Sequence, residues 1–258
     1  MDSGGDGPPL LLLHGILVSS WAWRHNITPL SEHFRVIALC QKGFGWSGHG
    51  DKDFTLEGLA QFVTAFMDRL GLDRVHLAGN SLGGAVALHI AAHQPSRVGR
   101  LVLVDPAAVP FRFVTGFLAL QFPVLTPVYR TFGHAAVFRL LLTTLAYRNT
   151  PIDSNYMHWF MAPLKQSTSI GSAVRVCRML QRGLLELFPL LSHLSHPVLL
   201  VWGSHDRLIP LKAGLILNRT LPNSQLEIFR HCAHCAMEED PERFNALVVN
   251  FLKVEPAA

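Results

Sequence analysis

Short apolar runs alternate with longer stretches of helical spacing along the first hundred residues. Leu10–Leu13, Arg35–Leu39, Val75–Ala78 and Leu101–Val104 have the length and near-continuous apolar character of strands buried on both faces. Leu56–Leu70 and Leu82–Ala92 lie between them and read as helices. This alternation predicts parallel strands joined by crossover helices. From about residue 107 to residue 193 the pattern changes. The segment is helix-like, rich in Leu and Phe, and punctuated by Pro110, Pro123, Pro127, Pro151, Pro163 and Pro189, with no strand pattern. Strand-like runs resume at Pro197–Trp202 and Gln225–Phe229, and Pro241 is suited to the first turn of a closing helix. The predicted organisation is an α/β core in two parts, residues 1–106 and 194–258, with residues 107–193 inserted as a helical cap.

Composition supports one compact enzyme. The chain has 258 residues, 49% hydrophobic and 16% charged, so a large core is available. Its net charge of +4 is spread without a basic run, which argues for solvated surface cations and against nucleic-acid binding. Met1–Pro9 is acidic and glycine-rich, unlike a signal peptide. The longest apolar stretch, Phe113–Tyr129, contains Pro123 and Pro127 and is flanked by Arg112 and Arg130, so no stable membrane insertion is expected. A soluble, cytoplasmic protein is the expectation.

Candidate chemistry centres on Gly79-Asn80-Ser81-Leu82-Gly83, which follows a strand and opens a helix. A serine nucleophile needs this strand–turn–helix setting, which lifts its hydroxyl above the sheet edge. A side chain at position 79 or 83 would collide with the neighbouring strand or helix. A serine hydroxyl also needs a base, and the base an orienting acid. Asp206 follows the strand ending at Trp202, and His234 follows the strand ending at Phe229. All three thus fall at carboxyl ends of strands, where open α/β sheets build their sites.

With these features the chain resembles the α/β-hydrolases, specifically their cofactor-free, cap-bearing, esterase-like branch. Leu10–Gly15 is similar to the strand leading into the family's oxyanion loop. Gly43-Phe44-Gly45-Trp46-Ser47, Trp202-Gly203-x-x-Asp206, and His234 followed by Glu239-x-Pro241 and Phe244 match further family motifs. The resemblance covers about residues 8 to 252. It implies Ser81 as nucleophile, His234 as base and Asp206 as orienting acid, with the backbone amides of Ile16 and Leu82 as the oxyanion hole. No cofactor or metal is implied. The chain departs from the pattern at Cys40, where the family usually has Asp, and at Ala233, where it usually has Gly. Relatives also usually have two strands before the His-Gly strand. An absent opening β-hairpin, and an exposed sheet edge, are therefore expected.

Each assignment has a rival. Asp105 also ends a strand and is the alternative acid. His231 lies three residues from His234 but does not match the spacing to Pro241. His14 reads as a structural residue under the oxyanion loop, and His205 as solvent-facing. Cys232 and Cys235 form a Cys-x-x-Cys around His234, but a zinc site lacks a second ligand pair. Their pairing under oxidation would be a redox switch.

The functional expectation is a carboxylesterase-like serine hydrolase working through an acyl-enzyme. Phe111, Phe113, Phe117, Phe122, Phe132, Phe138, Trp159 and Phe160 suggest an apolar pocket and hence a small hydrophobic ester with an acyl or aromatic part. The alternatives are a carbon–carbon bond hydrolase of a vinylogous diketone and a catalytically silent binding protein on the same fold. Asn80 fits the diketone hydrolases' Gly-Asn-Ser-x-Gly-Gly elbow. Ile16-Leu17-Val18 departs from their glycine-rich oxyanion loop.

Overall fold

The computed structural model describes residues 1–48, 53–110, 135–164 and 169–253. Six strands form one sheet in the order β2-β1-β3-β4-β5-β6, every neighbouring pair parallel. They are β1 Pro9–Leu13, β2 Arg35–Leu39, β3 Val75–Asn80, β4 Val98–Val104, β5 Val198–Gly203 and β6 Ser224–Phe229. The four central strands carry unbroken buried runs, such as Leu10–Leu13 and all of β5, because helices cover both faces of a parallel sheet. This is the parallel sheet with crossover helices that the apolar pattern predicts. Strands β3 and β4 extend beyond their apolar cores because main-chain pairing continues past the residues that hydrophobicity marks.

Helices α1 Ile27–Ser31, α2 Leu56–Arg69 and α3 Leu82–His93 fill the first crossovers. Thr55 caps α2 by accepting from the Gly58 amide at 3.0 Å. Helix α3 packs on β3 and β4 and meets α2. Every described residue of its first turn is buried, which explains its lack of a polar face.

Between β4 and β5 the described residues are mostly helical, with no strand among them. A helix over 135–141 (α4) runs into a π turn, Leu142–Ala146. Helices α5 Ser154–Leu164 and α6 Ser169–Leu187 follow, then a 3-10 turn Phe188–His193. Of the aromatic residues expected to line a pocket, Phe111, Phe113, Phe117, Phe122 and Phe132 lie outside the described residues, as does the apolar stretch 113–129. The chain closes through α7 Leu211–Thr220, α8 Ala236–Glu239 and α9 Pro241–Lys253. Among the described residues no helix is long and apolar enough to cross a membrane.

The β2 edge is not bare, contrary to the expectation of an exposed edge. Met1–Ser3 run antiparallel along it: the Ser3 amide donates to Val36 O at 2.9 Å, and Ala38 N to Met1 O at 2.8 Å. Asp2 pairs with Arg35 at 2.7 Å. These few residues satisfy part of the open ladder of that edge.

Candidate active site

Five strand ends converge on one region. Beyond β1 lies His14-Gly15-Ile16, beyond β3 Ser81, beyond β4 Asp105, beyond β5 Asp206, and beyond β6 His234. Ser81 sits at φ 54° and ψ −116°, a strained conformation for a residue with a side chain. The turn is possible because Gly79 and Gly83 let backbone meet backbone. A Cβ on Gly83 would lie 2.2 Å from Leu13 O, and one on Gly79 2.5 Å from the Gly83 carbonyl carbon.

His234 Nδ1 is 2.7 Å from Asp206 Oδ2, and both residues are buried. The other Asp206 oxygen accepts from the amides of Leu208 at 2.7 Å and Ile209 at 2.9 Å, which fixes the carboxylate plane. An acceptor carboxylate puts the imidazole proton on Nδ1 and leaves Nε2 as the basic nitrogen. The His234 loop is tied on both sides. Its amide donates to Ala146 O at 3.0 Å, and its carbonyl accepts from Asn80 Nδ2 at 3.0 Å. Glu239 accepts from the Ala233, Arg148 and Asn149 amides, which gives that motif position a structural purpose. Ser81 and His234 line one cavity; among the described residues no hydrogen bond joins their side chains.

Asp105 stands behind this pair and does not contact the imidazole by hydrogen bond. It is fully buried, takes φ 43°, and accepts from the Gly203 amide at 2.9 Å. Burial, then the adjacent Asp206 charge, pushes its carboxyl well above the ordinary carboxylate range. One carboxylate oxygen each of Asp105 and Asp206 and one ring nitrogen of His234 lie within 4.8 Å of one another, the one such group of potential metal-binding atoms among the described residues. Within it His234 Nδ1 and Asp206 Oδ2 are hydrogen-bonded to each other.

The candidate oxyanion loop is built without glycines after Gly15. Leu17 takes φ 63°, the left-handed conformation that a glycine would adopt easily. His14 is buried beneath, with Nδ1 2.6 Å from Gly15 O and Nε2 accepting from the Gln41 amide at 3.0 Å. The Leu82 amide opens α3, where no intrahelical acceptor exists. Gly15 and Ile16 line the cavity beside Ser81.

Of the residues with no predicted role in the chemistry, two histidines fall away from it, while Cys235 lines the cavity. His205 is exposed and contacts Ser204, and His231 offers only its carbonyl, to Asn149. Cys232 and Cys235 are free thiols. Burial pushes Cys232 up to about 12 and Cys235 well above its ordinary range, so neither is a ready thiolate. Phe138 and Phe160 line the cavity, but Trp159 faces outward and stacks on Trp21 at 6.5 Å. Sequence reasoning missed Glu238 and Tyr147, which also line the cavity. The Tyr147 hydroxyl donates to Glu238 Oε1 at 2.6 Å, and Arg24 pairs with Glu238 Oε2.

Comparison with known proteins places this geometry. A family model described as the alpha/beta hydrolase fold matches residues 8–241. The chain is 31% identical to 2-hydroxymuconate semialdehyde hydrolase of Pseudomonas sp. strain CF600, over 100% of this chain and 91% of that protein. It is 32% identical to 2-hydroxy-6-oxo-2,4-heptadienoate hydrolase of Pseudomonas putida, over 97% of this chain and 91% of that protein. The solved structure of a meta-cleavage product hydrolase, CumD, from Pseudomonas fluorescens IP01 aligns with a TM-score of 0.85 at 28% identity. That match covers 98% of this chain and 92% of the other.

These relatives overturn the expectation of a carboxylesterase. A 2-hydroxy-6-oxo-dienoate contains no ester, so a hydrolase named for it must break a carbon–carbon bond. The ester expectation arose because a serine, histidine and aspartate set looks the same for both chemistries. It also arose because Ile16-Leu17-Val18 lacks the expected glycines, and Leu17 supplies the left-handed turn without one.

Proposed function

The chain belongs to the alpha/beta-hydrolase family, and from that premise we propose that it hydrolyses the carbon–carbon bond beside the 6-oxo group of a 2-hydroxy-6-oxo-dienoate, with Ser81, His234 and Asp206 as its catalytic residues. The observation that carries this reading is the match along the whole chain to a 2-hydroxymuconate semialdehyde hydrolase. The hydrogen-bonded His234–Asp206 pair beside a strained serine supports it.

In this proposal the bound dienol first moves its 2-hydroxyl proton to C5, giving a 2,6-diketone with a C3–C4 double bond. His234 Nε2 takes the Ser81 proton as Oγ adds to C6, and the Ile16 and Leu82 amides hold the oxyanion. Donors of this kind contribute about 3 kcal/mol each because they meet charge as it develops. The C5–C6 bond then breaks. Its electrons pass through C4 and C3 to the C2 oxygen, which takes the proton from His234. The leaving fragment is a 2-hydroxy-2,4-dienoate, and the rest of the substrate is an acyl ester on Ser81. Water, deprotonated by His234, releases the acid and restores Ser81. One water is consumed, and two acids are formed.

Asp206 serves by holding the proton on Nδ1 and stabilising the imidazolium. The helical segment between β4 and β5 acts as the cap, supplying Phe138, Leu142, Phe160 and Leu180 to an apolar wall for a small-molecule substrate. The test is spectrophotometric. Substrates with hydrogen, methyl or phenyl at C6 should lose their extended conjugation on addition of enzyme and yield the matching acid, and Ser81→Ala should abolish this. Intact absorbance with all three substrates would overturn the proposal.

A further inference from the structure

The wall of the cavity carries a fixed negative group beside the candidate catalytic residues. Glu238 lies four residues after His234 and its side chain is only 1% exposed. Arg24 and the Tyr147 hydroxyl hold it, and Tyr156 backs Tyr147 through a 2.7 Å contact between hydroxyls. Arg24 is itself clamped, its guanidinium 3.6 Å from the Trp21 ring centroid. Moving the carboxylate would break its contacts with both Arg24 and Tyr147, and the partly buried Arg24 would keep only the Trp21 carbonyl at 3.3 Å and the Trp21 ring. Burial raises the Glu238 pKa, while Arg24 and Tyr147 pull it back toward the ionised form.

Among the described residues that line the cavity there is no Lys or Arg, and Glu238 is the one carboxylate. The remainder of the wall is mostly apolar. Two hydrogen-bond partners use only part of the acceptor capacity of its carboxylate.

We propose that the Arg24–Glu238–Tyr147 cluster sets substrate specificity at the end of the cavity remote from the dienoate acid: it admits neutral tails, favours one that ends in a hydroxyl, and rejects one that ends in a second carboxylate. The inference rests on the reading of the chain as a dienoate hydrolase, and it names which C6 substituents that hydrolase takes. Electrostatics sets the orientation. The substrate's own carboxylate avoids Glu238, so the C6 substituent is the part that meets it. Two like charges about 6 Å apart at an effective dielectric of about 20 cost roughly 100-fold in affinity, and the pairing with Arg24 reduces that to about tenfold. A hydroxyl meets the opposite fate, because it can donate to the ionised carboxylate.

The acid released from the C6 side is the ligand that tests this without turnover. Calorimetric affinities would be measured for hexanoate, 6-hydroxyhexanoate and adipate, which share one carboxylate and differ at the far end. Wild type should bind 6-hydroxyhexanoate at least as tightly as hexanoate, and adipate about tenfold more weakly. Glu238→Gln should bring adipate to within about threefold of hexanoate, and Arg24→Gln should narrow the gap as well, because without Arg24 the buried Glu238 carboxyl takes up a proton. A purely structural cluster would shift all three acids together. The proposal is overturned by an adipate-to-hexanoate ratio that is unchanged in whichever variant folds, or by adipate binding tightest to wild type. Failure to turn over any dienoate, with the acids still discriminated, would instead remove the hydrolase reading and leave the recognition site standing.

Discussion

The Asn80 side-chain amide donates to the main-chain carbonyl of His234 at 3.0 Å, and to Val104 O at 3.2 Å. One residue ahead of the serine, it joins the elbow to the histidine loop across the top of the sheet. Asn80→Ala would orphan the buried His234 carbonyl, while Val104 O would keep the Ser81 amide at 3.0 Å, at a cost of about 1–3 kcal/mol. Because the loop carrying His234 would lose its register with Ser81, turnover should fall about tenfold or more. Urea melts and steady-state rates would check both; a variant of normal stability and rate would mean that Asn80 sets no geometry.

The elbow glycines make a second, sharper contrast. Gly83→Ala forces a Cβ to 2.2 Å from Leu13 O, a backbone atom fixed in β1 that cannot retreat. Loss of about 4 kcal/mol or outright misfolding is expected. Gly171, in α6, has nothing within 4 Å of its would-be Cβ. Gly171→Ala should therefore raise stability by about 0.5–1 kcal/mol through helix propensity alone. Thermal melts of the pair decide whether contact or propensity governs each position.

How much of this was legible in the chain depends on the range of the interaction. Ser81, Asp206 and His234 could be singled out because each follows a strand that its own apolar residues announce. The parallel pairing of the strands followed from the same runs, but not their order in the sheet. Glu238 could not be found in this way. It opens Glu238-Glu239-Asp240, which reads as a solvated helix start, and its burial depends on Arg24, 214 positions away. Trp159 failed for a related reason: helical spacing does not say which face of α5 meets the core. The proposed carbon–carbon chemistry was hidden too, since Leu17 reaches a left-handed conformation that the sequence assigns to glycine.

The buried thiols give a third prediction. With Cys232 pushed up to about 12 and Cys235 well above its usual range, both thiols should resist alkylation of the native protein at pH 8. Mass spectrometry should find them modified only after denaturant is added. Rapid labelling of either in the folded state, or a reversible loss of activity on mild oxidation that maps to the pair, would restore a redox role.

Asp105 carries a pH signature. In the folded protein burial and Asp206 hold it protonated well above its ordinary value of 3.8, which it regains on unfolding. Between those two pKa values the folded state binds the extra proton, so stability falls as pH rises through that window. Asp105→Asn keeps an acceptor for the Gly203 amide and removes the titration. Relative to wild type it should gain stability progressively from about pH 4 upward. Urea midpoints from pH 4 to pH 9 test the sign, and parallel curves would show that Asp105 ionises as freely folded as unfolded.

The two aspartates are separated most cleanly by comparing their amides. Asp206→Asn preserves an acceptor for the Leu208 and Ile209 amides but turns an NH2 toward His234 Nδ1. The imidazole must then move its proton to Nε2, and the nitrogen needed as base is lost. A fall in kcat of about 10,000-fold is expected, with the fold intact. Asp105→Asn changes no group hydrogen-bonded to the imidazole, so its kcat should stay within about tenfold of wild type. Turnover of 2-hydroxy-6-oxo-6-phenylhexa-2,4-dienoate, together with phosphonate labelling of Ser81, measures both. The reverse ranking would make Asp105 the orienting acid, and would require His234 to exchange its 2.7 Å partner during catalysis.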